Sequence, residues 1–326
     1  MELVTKKKLV IVSGRANEGL ATEIAEVLGE QMVEPNLSDF ANGEIHCRFE
    51  ASVRGTDVFI VQSHTAHGDF TINDAVMEHL IMVDAARRAS AKRITAVCPF
   101  FGYARQDRKA EGREPITAKL MANAFRASGA DRMLSVDLHS GQIQGFFDGP
   151  WDHLTAMPVL TDYLRGIGDD LVIVSPDAGR VKVAERYTNE LGADLAIVHK
   201  RRSRNTKNAV EAKEVVGDVK GRACVLIDDM IDTGGTIVAA ADALAARGAA
   251  TIHAATTHGV FSGPAIDRLK NSVISKVVIT NTLPLSSDKQ IDKIEVLSVA
   301  SIIAAAIDAV FEDTSVSEIF GGKNLS

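Results

Sequence analysis

The segment 224-CVLIDDMIDTGGT-236 decides how this chain is read. A short apolar run stops on Asp228 and Asp229, gives Asp232 three residues later, and passes through Thr233, Gly234, Gly235 and Thr236 into 236-TIVAAADALAARG-248, where apolar residues recur at helical spacing. The run has the near-continuous apolar character of a strand buried on both faces of a parallel sheet. In open α/β sheets, ligands sit beyond the carboxyl ends of strands, where the next helix presents its unpaired amides. The residues between strand and helix are therefore a candidate ligand loop. Thr233 to Thr236 offer hydroxyls and backbone N–H groups without bulk, which suits a phosphate. Asp228 and Asp229 repel phosphate but accept hydrogen bonds from vicinal hydroxyls, so the combined preference is for a sugar phosphate. A capped Asp/Gly turn accounts for Thr-Gly-Gly-Thr but not for two aspartates at a strand end. Neither GxxxxGK[ST] nor GxGxxG is present.

Similar apolar runs recur outward from this segment, at 8–13, 57–62, 93–98, 132–137, 171–175, 195–199, 251–256 and 276–280. Helical patterns such as 72-INDAVMEHLIMVDAARRAS-90 lie between them, and alternating strands and helices predict an α/β fold. The order and lengths of 55–102 resemble those of 221–263, as if a unit were duplicated with the acidic loop kept only in the second copy. Turn formers cluster at 149-GPWDHLTAMP-158 and place a boundary there. The expected division is 1–155, 156–310, and a C-terminal segment 311–326 returning to the first domain.

The chain has 326 residues, 46% of them hydrophobic, enough for two domains with their own cores. A net charge of −7 argues against the basic face needed for sequence-independent nucleic-acid binding. Cys47, Cys98 and Cys224 are widely spaced and read as ordinary buried thiols. The apolar segment 296–311 is interrupted by Ser298, Ser301 and Asp308 and predicts a buried helix, not a membrane span. The N-terminus lacks a signal-type apolar region, and a cytoplasmic location is expected.

Further motifs carry chemistry. Segment 103-YARQDRK-109 groups Arg105, Arg108 and Lys109 around Gln106 and Asp107, which suits a polyphosphate or simply a solvated loop. Asp137 and His139 follow one strand, and Asp177 follows another; a lone His at a strand end is more often structural than a ligand. The basic run 199-HKRRSRNTKNAVEAK-213 is, taken alone, a solvated loop. Together, 40-FANGE-44, 99-PFFGYARQDRK-109, 114-EPITAK-119, 135-SVDLHSGQIQGFF-147, 174-VSPDAG-179, 199-HKRR-202 and the acidic loop resemble the ribose-phosphate pyrophosphokinase family over nearly the whole chain.

That resemblance implies two type I phosphoribosyltransferase-like domains, each a mainly parallel sheet flanked by helices. It implies transfer of the diphosphoryl group of ATP to ribose 5-phosphate, in a magnesium-dependent homohexamer serving nucleotide biosynthesis. It assigns Phe40, Asn42, Glu44, Arg105, Gln106, Asp107 and His139 to ATP, with the first three reaching adenine from a neighbouring subunit. Magnesium would associate with His139 and Asp177, partly through waters. Lys200 and Arg202 fall on a catalytic loop closing over the reacting phosphates. Asp228, Asp229, Asp232 and Thr233 to Thr236, with Arg202, would hold ribose 5-phosphate. Ser52, Arg54, Gln144, Asp152, Ser315 and Ser317 match regulatory neighbourhoods, implying phosphate and ADP as effectors.

A phosphoribosyltransferase would use the same acidic loop but would not need the first-half motifs, and a noncatalytic relative would have lost residues that are intact here. The chain departs from the family pattern at Gly235, at 179-GR-180 and in the Arg-rich 200-KRRSR-204. A narrowed approach to the pyrophosphate and an added phosphate contact are both open for Arg180.

Overall fold

In the computed structural model, residues 7–168, 170–201 and 212–320 are described. The first strand, β1 (Leu9–Ser13), leads into α1 (Glu18–Leu28) and an antiparallel hairpin of β2 (Pro35–Asp39) and β3 (Ile45–Phe49). Then follow β4 (Asp57–Val61), α2 (Ile72–Arg88), β5 (Arg93–Cys98), α3 (Thr117–Ser128), β6 (Arg132–Val136) and β7 (Trp151–Leu154). These strands form a five-stranded sheet in the order β1-β4-β5-β6-β7, parallel throughout. Strands β4 to β6 are apolar and buried because helices cover them, as parallel sheets require. Thr71 opens α2 with a capping box: its hydroxyl accepts from the Asp74 amide while the Asp74 carboxylate accepts from the Thr71 amide.

The second half runs α4 (Met157–Arg165), β8 (Leu171–Ser175), α5 (Val181–Leu191), β9 (Asp194–Arg201), β10 (Ala212–Val216) and β11 (Ala223–Ile231). It continues with α6 (Gly235–Ala246), β12 (Thr251–Gly259), α7 (Ala265–Lys270), β13 (Lys276–Thr280) and β14 (Ile294–Leu297). Its seven-stranded sheet has the order β10-β9-β8-β11-β12-β13-β14, with only β10 antiparallel to its neighbour. The chain runs outward from β8 to β9 in one direction and from β11 to β12 in the other. The crevice between β8 and β11 is therefore a topological switch point, where open α/β sheets bind ligands. The last α-helix among the described residues is α8 (Ala300–Phe311).

Two compact units result: 1–155 with 282–284 and 298–326, and 156–281 with 285–297. The sequence expectation ran the second domain to 310. Instead, residues 298–310 belong with the first unit because the apolar face of α8 packs on α1. The turn cluster at 149–158 contains β7, whose Trp151 is buried with its indole N–H donating to Ser135 Oγ at 2.8 Å. Each unit has its own core. Phe59, Phe101, Phe125 and Met133 are fully buried in the first, and Val172, Val174, Leu226 and Val277 in the second. Each such side chain contributes about 1.5–3 kcal/mol on leaving water.

The first core encloses polar groups that the sequence did not signal. His64, His79 and Cys98 are fully buried, with His64 Nε2 3.2 Å from His79 Nδ1 and Cys98 Sγ 3.8 Å from both. This donor set has the composition of a metal site. The backbone N–H of Gly102 donates to His64 Nδ1 at 3.0 Å, however, so the ring proton resides on Nε2 and points at His79. An Nε2 that carries a proton cannot take a cation, and the cluster is a hydrogen-bonded core element. Burial pushes the His64 pKa down to about 3 and lowers that of His79 well below the ordinary value, so both rings are neutral. Cys98 and Cys224 are buried and Cys47 is half-buried.

Candidate active site

The acid pair lies inside β11, not beyond it: strand pairing with β12 continues through Asp228 to Ile231. Pairing with β8 stops at Leu226. Past that residue one edge of β11 loses its neighbour, and Asp228 and Asp229 occupy the opening. Asp229 is buried and Asp228 is half-buried, and the Asp229 amide donates to Asp228 Oδ1 at 2.9 Å.

A residue from the other side of the crevice meets them. After β8, Asp177 caps a short 3-10 turn, Ala178–Arg180, its Oδ1 accepting from the amides of Gly179 at 2.8 Å and Arg180 at 3.2 Å. The turn aims Arg180 across the switch point. Its Nη2 lies 2.6 Å from Asp229 Oδ2 and its Nε 3.2 Å from Asp228 Oδ1. Neither of the two roles open for Arg180 from sequence included this pairing. Burial and the neighbouring Asp229 carboxylate push the Asp228 pKa up, to about 8, against the opposing pull of Arg180. Two adjacent acids out of water hold one proton between them more readily than two negative charges.

The glycine loop completes this edge. Gly234 stands in the left-handed region at φ 73° as the N-cap of α6. Thr233 carbonyl oxygen accepts from Arg268 Nη1 at 2.9 Å, and the Asp232 carbonyl accepts from the Ser262 amide at 2.9 Å, so α7 and its approach hold the loop from behind. The N-terminus of α6, with Gly235 and Thr236 in its first turn, faces out from the same end of β11 as the acids, where first-turn amides and the helix dipole favour an anion. The structure thus brings together Asp177, Arg180, Asp228, Asp229 and residues 232 to 236 at one end of one sheet.

Phe40, Asn42 and Glu44 form the exposed tip of the β2–β3 hairpin, where the Phe40 amide donates to the Glu44 carbonyl at 2.8 Å and the Glu44 amide to Asn42 Oδ1 at 3.2 Å. Phe40 is 56% exposed, which is unusual for an aromatic ring and leaves its face available. Arg105 and Gln106 are exposed, while Asp107 turns inward and accepts from Gln142 Nε2 at 2.9 Å. Gln142, which sequence reasoning passed over, thereby ties segment 103–109 to segment 135–147. Gln106 Oε1 accepts from Thr117 Oγ1 at 2.5 Å. Both segments carry non-glycine residues in the left-handed region, Tyr103 at φ 62° and Asp137 at φ 38°. Such backbone costs about 1–2 kcal/mol and persists where surrounding structure over-determines it. His139, two residues beyond Asp137, is half-buried.

The six residues expected in regulatory neighbourhoods are dispersed over the first unit. Ser52 and Arg54 are exposed, and Gln144 Nε2 donates to the Gly141 carbonyl at 3.1 Å. Asp152 is paired with Arg132 at 2.5 Å, and the hydroxyls of Ser315 and Ser317 are 2.8 Å apart. Lys200 lies on β9 with its backbone opposite Lys213; Arg202 lies outside the described residues.

A mainly parallel sheet with a carboxylate pair at its switch point and a glycine-capped helix beside it defines the class: an α/β protein with a ligand crevice at the carboxyl ends of its strands. Comparison with known proteins narrows it. Residues 9–129 match the N-terminal domain of ribose phosphate pyrophosphokinase, and residues 207–321 match the phosphoribosyl synthetase-associated domain. The ribose-phosphate pyrophosphokinase of Streptomyces coelicolor is 59% identical over 317 residues, covering 97% of each chain. That of Bifidobacterium longum is 52% identical over 319 residues, covering 96% of this chain and 93% of its own. The crystal structure of phosphoribosylpyrophosphate synthetase from Mycobacterium smegmatis superposes with a TM-score of 0.88 at 50% identity, covering 94% of this chain and all of that one. The chain belongs to the ribose-phosphate pyrophosphokinase family.

Proposed function

We infer that this enzyme makes 5-phosphoribosyl 1-pyrophosphate and AMP from ribose 5-phosphate and ATP, the pyrophosphorylation that supplies nucleotide biosynthesis. The observation that carries the reading is the acid pair inside β11 beside the glycine-capped N-terminus of α6. Asp228 and Asp229 accept from the vicinal hydroxyls of the pentose, and the amides and hydroxyls of Thr233 to Thr236 hold its 5-phosphate. Asp232 lies between these two groups in sequence and belongs to the same set. The C1 hydroxyl attacks the β-phosphorus of ATP; the bond from that phosphorus to the α,β-bridging oxygen breaks, AMP leaves, and the hydroxyl proton passes to solvent. Positioning and electrostatics carry most of such a transfer.

Arg105 and Gln106 hold the ATP phosphates, with Asp107 setting the turn through Gln142, and Phe40, Asn42 and Glu44 present a ring face and polar edges to adenine. His139 contributes an imidazole. Lys200 and Arg202 supply positive charge where negative charge spreads in the transition state. A divalent metal is a general requirement of ATP-dependent pyrophosphoryl transfer, and we assign magnesium. The donor chemistry fits: Asp177 is exposed and commits only Oδ1 to protein amides, so among the described residues Oδ2 takes no hydrogen bond, which suits a hard cation that keeps its waters. When bound, the metal neutralises phosphate charge. A homohexamer, phosphate and ADP acting through Ser52, Arg54, Gln144, Asp152, Ser315 and Ser317, and a cytoplasmic location complete the proposal. No described helix is long and apolar enough to cross a membrane.

Incubation with ATP, ribose 5-phosphate and magnesium, without any nucleobase, tests the reading. AMP and phosphoribosyl pyrophosphate are expected in equal amounts. Absence of AMP with both substrates present, or a requirement for a base, contradicts it.

A further inference from the structure

We propose that Arg180 is a gate for ribose 5-phosphate: its guanidinium holds one oxygen of each carboxylate that the pentose diol must reach, and the sugar enters by taking its place. The inference rests on the proposed role of the acid pair, and it adds a residue and a competition that the role does not itself contain.

The geometry is that of a ligand already in place. Arg180 spans both acids, one through Nη2 and the other through Nε. Its side chain is 15% exposed, against 17% and 8% for Asp228 and Asp229, so guanidinium and carboxylates face each other away from bulk water. A charge-assisted pair of this kind holds the donors that a diol would otherwise supply, with the same hydrogen-bond sense: carboxylate oxygens accept in both cases. The carboxylates cannot serve both partners along the same directions. A guanidinium presents its N–H groups in a fixed plane and fills the space between the acids.

Arg180 is also mounted so that it can leave. It closes a three-residue 3-10 turn capped by Asp177 and is itself the N-cap of α5, so its backbone is held on both sides and the movement is confined to its side chain. Rotation about the arginine side-chain bonds withdraws the guanidinium without disturbing the two Asp177 amide bonds, which involve only backbone N–H groups of Gly179 and Arg180. The sugar-binding-competent state is then a fraction of the population, and apparent affinity for the sugar phosphate is reduced by that fraction.

The test compares wild type with Arg180→Ala and Arg180→Lys in full-length protein, reading KM for each substrate separately. In folded Arg180→Ala, KM for ribose 5-phosphate is expected to fall about three- to tenfold while KM for ATP moves by less than about twofold. Millimolar guanidinium chloride should then raise KM for ribose 5-phosphate competitively in the variant and not in wild type, with sodium chloride at equal ionic strength as the control. A merely structural arginine gives no such competition. Arg180→Lys is expected to lower the same KM to a lesser degree, because a point ammonium does not span both acids, and it carries the test alone if Arg180→Ala fails to fold. An unchanged or raised KM for ribose 5-phosphate in a folded variant overturns the inference. If wild type forms AMP while the variants behave in that way, only the gate is wrong; if wild type forms no AMP, the proposed function is wrong.

Discussion

The backbone N–H of Gly102 donates to His64 Nδ1 at 3.0 Å, so the segment beginning at Tyr103 hangs on a fully buried imidazole. Removing that acceptor in His64→Leu leaves a buried amide unpaired, a loss of about 1–3 kcal/mol. The melting temperature should fall, and in the folded fraction KM for ATP should rise more than KM for ribose 5-phosphate. Equal KM changes for both substrates would show that Gly102 does not position the segment proposed to hold ATP.

Glu78 is a fully buried acid of the first unit. Its Oε1 accepts from the Arg15 amide and from Gln62 Nε2, both at 2.8 Å, and its Oε2 lies 2.5 Å from Arg15 Nε. Glu78→Ala leaves the Arg15 amide and Gln62 Nε2 without this acceptor while Arg15 keeps Asp39, and an unsatisfied buried donor costs about 1–3 kcal/mol. Urea denaturation should show a loss of that size, and Glu78→Gln a smaller one. A midpoint unchanged in Glu78→Ala would refute this.

Two adjacent glycines in the loop proposed to hold the 5-phosphate should respond differently. Gly234 sits at φ 73°, so Gly234→Ala costs about 1–2 kcal/mol in backbone strain although the nearest atoms to an added Cβ are 3.6 Å away. Gly235 has ordinary helical backbone, and its added Cβ would meet Arg268 Nη1 at 3.4 Å and Thr233 Oγ1 at 4.0 Å, both at van der Waals distance. KM for ribose 5-phosphate should rise in Gly234→Ala and stay near wild type in Gly235→Ala. The reverse order would contradict the loop geometry.

Asp228 gives the unliganded protein a pH-dependent stability. Its folded pKa, near 8, lies above the ordinary carboxyl value of 3.8, so the folded state binds the proton more tightly than the unfolded chain does. The contribution is fully present below pH 3.8 and is lost as pH rises through about 8. Thermal melts from pH 5 to 9 should show wild type losing stability relative to Asp228→Asn as pH rises. Parallel curves would contradict the shift.

The nine apolar runs read as strands all lie on strands, because near-continuous burial leaves an unmistakable pattern. The strands that escaped notice, β2, β3, β7, β10 and β14, lie at edges or in the hairpin. There one face meets solvent and polar residues interrupt the run, as in 35-PNLSD-39. Asp228 and Asp229 were legible as a candidate site because two adjacent acids closing an apolar run have no evident packing use. Arg180 was legible as unusual but not as their partner, since its pairing depends on β8 and β11 being neighbours although they are far apart along the chain. His64 and His79 gave no signal, as their meeting depends on how α2 lies over β4 and β5. The return of α8 to the first unit was equally hidden: an apolar helix does not say which unit it will cover.

The most direct test of the central claim is the kinetics of Asp228→Asn/Asp229→Asn. With one proton shared between the acids, the double variant removes one hydrogen bond to a charged group and weakens a neutral one, about 2–4 kcal/mol together, so KM for ribose 5-phosphate should rise at least about thirtyfold, with KM for ATP within about threefold of wild type. A variant that folds and turns over with wild-type KM for ribose 5-phosphate would contradict the account.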